Sequence, residues 1–350
     1  MIAIILVTYN GEHDLPLFFQ TLLPTLPREG VLLYIVDNAS SDSTRMIIER
    51  DVPDAVHIFS ETNDGYSGGH VRGMTEALKR GVEYIILVNQ DMEFVSGWIE
   101  PLVDYMNAHP RCGVVQPMIA LAQDKGLLNS CGNALHYLGF GYSMGYTQPV
   151  ATCTESSMIG YTSGATVMYR ASALREVGLF DPEFFMYHED TDLAWRFRLA
   201  GWGCAVTPTS TVYHRYEFGR SEKKFYYIER NRIAILLRNY SFKTLLLIAP
   251  AFFFMEAGLL VRALLSTVMR LRITPVLHYC ASRLFWFSPR RFAHILLERR
   301  KIQNVRVISD TEIVPYFVSS IDAQEVDSGI MRMVVNPVLR WYWNIIRRWI

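Results

Sequence analysis

The 350 residues contain no Cys-x-x-Cys, and their five cysteines (112, 131, 153, 204 and 280) are odd in number and scattered. That spacing predicts neither a disulfide framework nor a zinc site, and it fits a reducing compartment. No G-x-G-x-x-G and no Walker sequence occurs, which excludes the two commonest nucleotide-binding signatures. Internal repeats and low-complexity tracts are absent as well. The opening stretch "MIAIILVTYNGEHD" lacks leading basic residues and a small-residue cleavage site. It is expected to be a buried strand and not a signal peptide.

Net charge is also missing, since 34 Lys and Arg balance 34 Asp and Glu, but the balance hides a division. Met1 to His214 holds 12 basic residues against 24 acidic ones, and Arg215 to Ile350 holds 22 against 10. With half its residues hydrophobic, the chain can bury a large core and hold two domains, expected at 1–218 and 219–350. A basic half implies an anionic partner, nucleic acid or a membrane surface. Its wealth of Leu, Ile, Phe and Trp favours the membrane, and no nucleic-acid partner is expected. Residues 244–261, "TLLLIAPAFFFMEAGLLV", carry one charge, Glu256, and reach the lower limit for a spanning helix. Pro250 and Glu256 are expected to interrupt that run. The closing "LRWYWNIIRRWI" mixes Trp with Arg, which suits the bilayer interface. In-plane attachment is therefore favoured over an ordinary buried helix, and both over a spanning helix.

Up to about Pro208, strand and helix patterns alternate. Apolar runs at 2–8, 31–37, 56–59 and 84–88 read as buried strands. A helix starts near Asp14 with Phe18, Phe19, Leu22 and Leu23 inward, and another runs from about Gly69 to Arg80. Strands apolar throughout and joined by helices imply an α/β fold with a mostly parallel sheet covered on both faces. Ligands bind such sheets beyond the strands' carboxyl ends. Here those ends carry Thr8, Tyr9 and Asn10, then Asp37 and Asn38, then Asn89, Gln90 and Asp91.

Four features there carry chemistry. Asp91 and Glu93 follow a strand on a turn, where carboxylates could hold Mn2+ or Mg2+ against a diphosphate. "NDGYSGGHVRGM", with Gly65, Gly69 and Arg72, could bring backbone N–H groups up to phosphate at a helix start. His214, after the last strand-like segment, could add a nitrogen ligand to the same metal. "MYHEDTDLAW" crowds Glu189, Asp190 and Asp192 at the start of a helix. Helix electrostatics accounts for Glu189, and an exposed i,i+4 pair with Arg196, about 0.3–0.5 kcal/mol, accounts for Asp192. Asp190 shares a face with Leu193, Ala194 and Phe197, so it points inward and needs a partner or a task.

The stretches "ILVTYNGEHDL", "IVDNASSDST", "NDGYSGGHVRG", "YIILVNQDMEF", "TSGATVMYRASALREVGLFDPEFFMYHEDTDLAWRFRLAGW" and "VYHRY" together resemble family 2 glycosyltransferases of the GT-A fold. The likeness is greatest to the branch that includes rhamnosyltransferases of surface-polysaccharide assembly, and it covers about the first 215 residues. It implies that Thr8, Tyr9, Asn10 and Asp37 hold the nucleotide, with Asp37 facing the base. Asn38, Gly65, Gly69, Arg72, Asn89 and Glu189 join the substrate-binding set, and Gly164 lies near acceptor and donor sugar. The resemblance makes Asp91 the metal-binding residue, with Glu93 and His214 as further candidates, and Asp190 the catalytic base. Two positions depart from the family pattern: His70-Val71 replaces Asn-Asn, and Asn89-Gln90-Asp91 replaces Asn-Pro-Asp.

The expected function is inverting transfer of a sugar from a nucleotide diphosphate to a hydroxyl of a glycan or polyprenyl-diphosphate-linked acceptor. It is expected to be metal-assisted and to take place at the cytoplasmic face of the membrane. A sugar-phosphate nucleotidyltransferase would place a basic Gly-rich loop after the first strand, and "TYNGEHD" has no Lys or Arg. A membrane-bound protein that only binds sugar nucleotide would not need Asp91, Asp190 and His214 together.

Overall fold

The computed structural model describes residues 1–216, 222–322 and 329–350, which form two compact units. Ala134–Tyr142 and Arg198–Gly201 belong to the second unit; otherwise the first holds residues up to Tyr216 and the second those from Glu222 onward. The boundary expected at 218/219 lies outside the described residues.

The first unit opens with β1 (Ile2–Thr8), α1 (Leu15–Leu22), β2 (Val31–Asp37), α2 (Thr44–Asp51) and β3 (Val56–Phe59). Next come α3 (Gly65–Lys79), β4 (Tyr84–Val88), β5 (Met92–Glu93), α4 (Glu100–Ala108), β6 (Cys112–Leu121) and β7 (Leu128–Ser130). After β8 (Asn133–His136) and β9 (Gly141–Ser143), which belong mostly to the second unit, it closes with β10 (Ser157–Met158), β11 (Thr166–Arg170), α5 (Ala171–Val177), α6 (Glu189–Leu199) and β12 (Gly203–His214). One ten-stranded sheet runs β10-β12-β6-β11-β4-β1-β2-β3, with β5 on β12 and β7 on β6. The β4-β1-β2-β3 half is parallel, as the uniformly apolar strands require, and β11 enters antiparallel between β4 and β6.

Every residue of β4 is buried, and α1 covers the sheet with Leu15, Phe18, Phe19 and Leu22. Leu23, expected inward, is exposed because α1 gives way to a 3-10 turn there. On α3, a Cβ at Gly69 would lie 2.6 Å from Val7 Cγ1, and one at Gly73 would lie 2.5 Å from Ile5 Cγ2. Those glycines let the helix sit directly on β1. Ile86 is fully buried in this core, so Ile86→Ala should cost about 2–5 kcal/mol.

Cys131 and Cys153 are joined in a disulfide, which corrects the expectation of unpaired cysteines. A sequence separation of 22 carries no local signal. The pair meets because backbone bonds from Leu128 to Gln148 and from Cys131 to Met144 fold the intervening loop back on itself.

The second unit is helical: α7 (Glu222–Asn239), α8 (Phe242–Arg270), α9 (Thr274–Leu284), α10 (Pro289–Val305), α11 (Asp310–Ile313) and α12 (Asn336–Ile346). A short β13 (Phe317–Val318) pairs with β8 beside β9. The Tyr137 ring stacks on Trp343 at 4.4 Å, fastening α12 to the β8–β9 hairpin. Pro250 and Glu256 were expected to interrupt the apolar run, but α8 is continuous through both. Glu256 is accommodated because Arg232 and Arg283 pair with it.

Candidate active site

The parallel register sets Thr8 beside Asp37, and the strand ends form a polar shelf. Thr8 Oγ1 donates to Gln90 Oε1 at 2.7 Å, and Gln90 Nε2 donates to Asp14 Oδ2 at 3.0 Å. Asp37 is buried and accepts from the backbone N–H of Ser40 at 3.2 Å and from its hydroxyl. Asn10, at a positive φ of 49°, accepts from Ser41 N at 2.9 Å, while Tyr9 is exposed. Asn38 is buried and donates to Gly65 O at 2.7 Å, and its Oδ1 has no partner. The strand-end residues Thr8, Tyr9, Asn10, Asp37 and Asn38 are thus brought together.

The glycine-rich stretch has a packing reason of its own. Gly65 has φ +71°, and a Cβ there would collide with Phe185 O, just as one at Gly69 would collide with β1. Arg72 is ion-paired with Asp64.

Asp91 and His214 meet where β5 pairs with β12, Nε2 to Oδ2 at 3.1 Å. His214 Nδ1 donates to Asn129 Oδ1 at 3.0 Å, which leaves Nε2 as the ring nitrogen that faces Asp91. At that separation Nε2 either donates its proton to the carboxylate or, with the proton gone, shares a metal ion with it. Asp91 Oδ1 is shut off from solvent and has no partner. Burial acts to raise the Asp91 pKa, but the hydrogen bond and charge of His214, with Arg215 nearby, hold it below the usual carboxylate value. This donor set fits a divalent ion that takes oxygen and imidazole ligands. Among the described residues no group of three or more His, Cys, Asp and Glu side chains is placed to hold a metal ion, so Glu93 does not complete a trio with the pair.

The acidic run begins α6 after strained backbone: Phe185, Tyr187 and His188 all have φ between 65° and 67°. Asp190 Oδ1 accepts from Thr191 N at 2.6 Å, and Oδ2 accepts from Gly164 N at 3.3 Å. The next carbonyl, Ala165 O, accepts from Asn89 N at 2.9 Å. A short chain of contacts therefore ties Asp190 to the strand end that carries Asp91. Burial pushes Asp190 up to about 6, against the lowering effect of the Thr191 and Gly164 N–H groups. Glu189 is only 6% exposed, and burial followed by the Asp190 charge pushes it well above the carboxylate range.

Two sequence readings need correction here. Glu189 is buried with an unpartnered Oε2, so favourable helix electrostatics is not a sufficient account of it. Asp192 and Arg196 are 1% and 6% exposed, so their 2.8 Å pair is buried and not a cheap surface contact. Arg196 also donates to Val177 O and Leu179 O, which locks α6 to the loop after α5. The reason is that α6 is covered on more sides than its sequence pattern suggests: Leu193, Ala194, Trp195, Phe197 and Leu199 are all buried.

Sequence reasoning missed three residues. Asn129 lies on β7 with no motif around it. Ser40, which donates to Asp37 from its backbone N–H and its hydroxyl, follows the β2 strand end with no motif that singles it out. Arg215 donates to Asp14 and to Gln90 O beside Asp91, and its only signal was its place next to His214.

Residues 3–178 match the model of glycosyl transferase family 2. The chain is 26% identical over 234 residues to the N-acetylglucosaminyl-diphospho-decaprenol L-rhamnosyltransferase of Mycobacterium tuberculosis, covering 61% of this chain and 76% of that one. Its fold is similar to that of GalNAc-T7 solved with UDP, GalNAc and Mn2+, with a TM-score of 0.57 at 15% identity. That match takes in 72% of this chain and about half, 49%, of the other. It is also similar to S. aureus TarS 1-349 in complex with UDP-GlcNAc, with a TM-score of 0.51 at 15% identity, covering 93% and 95%. Family match and GT-A fold agree, and the chain belongs to glycosyl transferase family 2.

Proposed function

We propose that this glycosyltransferase moves a hexosyl-type sugar, rhamnose being one candidate, from a nucleotide diphosphate to an acceptor hydroxyl with inversion. The acceptor is a glycan or a polyprenyl-diphosphate-linked sugar, as the name of the mycobacterial relative suggests. The observation that carries the reading is Asp190, at the start of α6: a carboxylate raised to about 6 and oriented by two backbone N–H groups, one of them from the Gly164–Ala165 segment hydrogen-bonded to Asn89 near Asp91. A base with that value is ionised at neutral pH and still basic enough to take a hydroxyl proton.

Asp190 accepts the acceptor's proton as the hydroxyl oxygen bonds to the anomeric carbon. The bond from that carbon to the phosphate oxygen breaks on the opposite face, and the nucleotide diphosphate departs with the electron pair. Thr8, Tyr9, Asn10 and Asp37 hold the nucleotide, while Asn38, Gly65, Gly69, Arg72, Asn89 and Gly164 shape the sugar and phosphate pocket. Glu189, whose burial favours its protonated form, limits the negative charge beside Asp190. Asp91, backed by His214, would hold Mn2+ or Mg2+, which supplies Lewis-acid stabilisation of the leaving diphosphate. Asn129 fixes the His214 ring, and Glu93 stands outside this pair. The basic second unit attaches to the anionic cytoplasmic leaflet, where a lipid-linked acceptor is presented.

A panel of nucleotide sugars, scored by released nucleotide diphosphate, tests the reaction class. Proton NMR of the first product tests the stereochemistry. Retention of the donor's anomeric configuration, or release only of pyrophosphate, would overturn the reading.

A further inference from the structure

Helix α8 is apolar around most of its circumference but covered on only one side. Thr244, Ile248, Ala251, Met255, Leu259 and Ala263, spaced by three or four residues, are buried in a single stripe. Away from that stripe Phe253, Val261, Leu265, Val268 and Met269 are 53–83% exposed, and the corner into α9 continues with Leu271 and Ile273 at 91% and 62%. A water-facing helix carries polar residues on its outer face. This one carries mostly hydrocarbon there, with Arg262 exposed among it, and α8 is, among the described residues, the one helix long and apolar enough to cross a membrane.

Its single acid lies away from that face. Glu256 is 12% exposed and pairs with Arg232 of α7 at 2.5 Å and with Arg283 of α9 at 2.8 Å. Glu229 of α7 closes the ring, at 2.8 Å from Arg232 and 2.7 Å from Arg283. Four charges from three helices thus meet at the middle of α8. A spanning pose would carry all four to the depth of the hydrocarbon centre, where ionised groups are expelled. Laid flat, the helix keeps them on its protein side.

We propose that α8 lies in the plane of an anionic leaflet, its uncovered face and the α8–α9 corner immersed in acyl chains, pinned there by the Glu229–Arg232–Glu256–Arg283 ring. The proposal rests on the membrane attachment proposed above and adds its pose and its lock. Lipid is the occupant because the surroundings match its chemistry. The exposed Arg272 borders the corner, Arg290 lies further along in α10, and the chain from Arg215 onward has 22 basic residues against 10 acidic ones. Trp341 on α12, with Arg348 and Trp349 just after it, lines an open cavity of about 430 Å³, the pairing of ring and cation suited to headgroups.

The test uses the full chain with phosphatidylcholine–phosphatidylglycerol vesicles. Nitroxides placed singly at Phe253 and Val268 are 15 residues apart, about 22 Å along a helix axis. The in-plane pose predicts equal, shallow depths within a few ångströms. A depth difference near 20 Å would mean that α8 spans, and would overturn the pose while leaving membrane attachment standing. Leu265→Glu with Val268→Glu should weaken vesicle partitioning by about tenfold or more. Glu256→Gln should keep partitioning and broaden the depth distribution at Val268; unchanged depth would remove the lock. A native chain that ignores vesicles and self-associates through this face would overturn both the pose and the attachment it rests on.

Discussion

The acid pair of buried Glu189 and half-buried Asp190 makes the pH response of this enzyme calculable. Asp190 moves from an ordinary 3.8 to about 6 on folding. At pH 7 about nine-tenths of it is the basic carboxylate, and at pH 5 about one-tenth, so kcat/KM should fall roughly ninefold between them. An unshifted carboxyl would leave that interval flat. The linked effect on stability has a definite sign. Between pH 3.8 and 6 the folded chain binds more protons than the unfolded one, so stability present in acid is lost as pH rises through that window. A full shift of this size is worth about 3 kcal/mol, and partial solvent screening of the half-buried carboxylate brings it to about 1–2 kcal/mol. Removing the charge with Asp190→Asn should therefore raise stability at pH 7 by about that amount, with little change at pH 4. Steady-state transfer at pH 5–8 and urea melts at pH 4 and 7 measure both. A flat rate profile down to pH 5 in folded protein, or a variant less stable than the native chain at pH 7, would refute the reasoning.

Asp192→Asn leaves Arg196 buried beside a neutral amide and should cost about 3–5 kcal/mol, read as a drop in urea midpoint; a change of a few tenths would mean the pair is exposed in solution. Asn129→Leu removes the acceptor that fixes His214 and should weaken Mn2+ binding to the protein about 10–100-fold by calorimetry, independently of turnover; unchanged affinity would free His214 from any role in holding the ion. Cys131→Ser opens a loop of 22 residues and should cost about 3 kcal/mol in the oxidised protein, with no effect once both proteins are reduced; equal stabilities under oxidising conditions would count against the bond.

Much of the first unit was legible because its strands are apolar along their whole length and their ends are polar. β1, β2 and β4 announce a covered parallel sheet, and Thr8, Asp37 and Asp91 stand at its polar strand ends. What stayed hidden depends on contacts between distant segments. Arg196 reads as a solvent residue until the loop of Val177 and Leu179 closes over it. Asn129 has no local pattern, since its partner His214 is 85 residues away. The disulfide was invisible for the same reason. Glu189 was misread because helix electrostatics is a local rule, whereas its burial is set by the fold around it. Glu256 looked like a break in an apolar run because Arg232 and Arg283 could not be assigned to it from spacing.

The central claim is that Asp190 takes the proton. Asp190→Asn keeps the size and an acceptor for the Gly164 or Thr191 N–H, but cannot accept a proton at neutral pH. With the native donor, single-turnover sugar transfer should fall by about 10²-fold or more, while calorimetric affinity for nucleotide diphosphate with Mn2+ stays within about twofold of native. Transfer within a few-fold of the native rate, or loss of nucleotide binding in step with activity, would contradict the account.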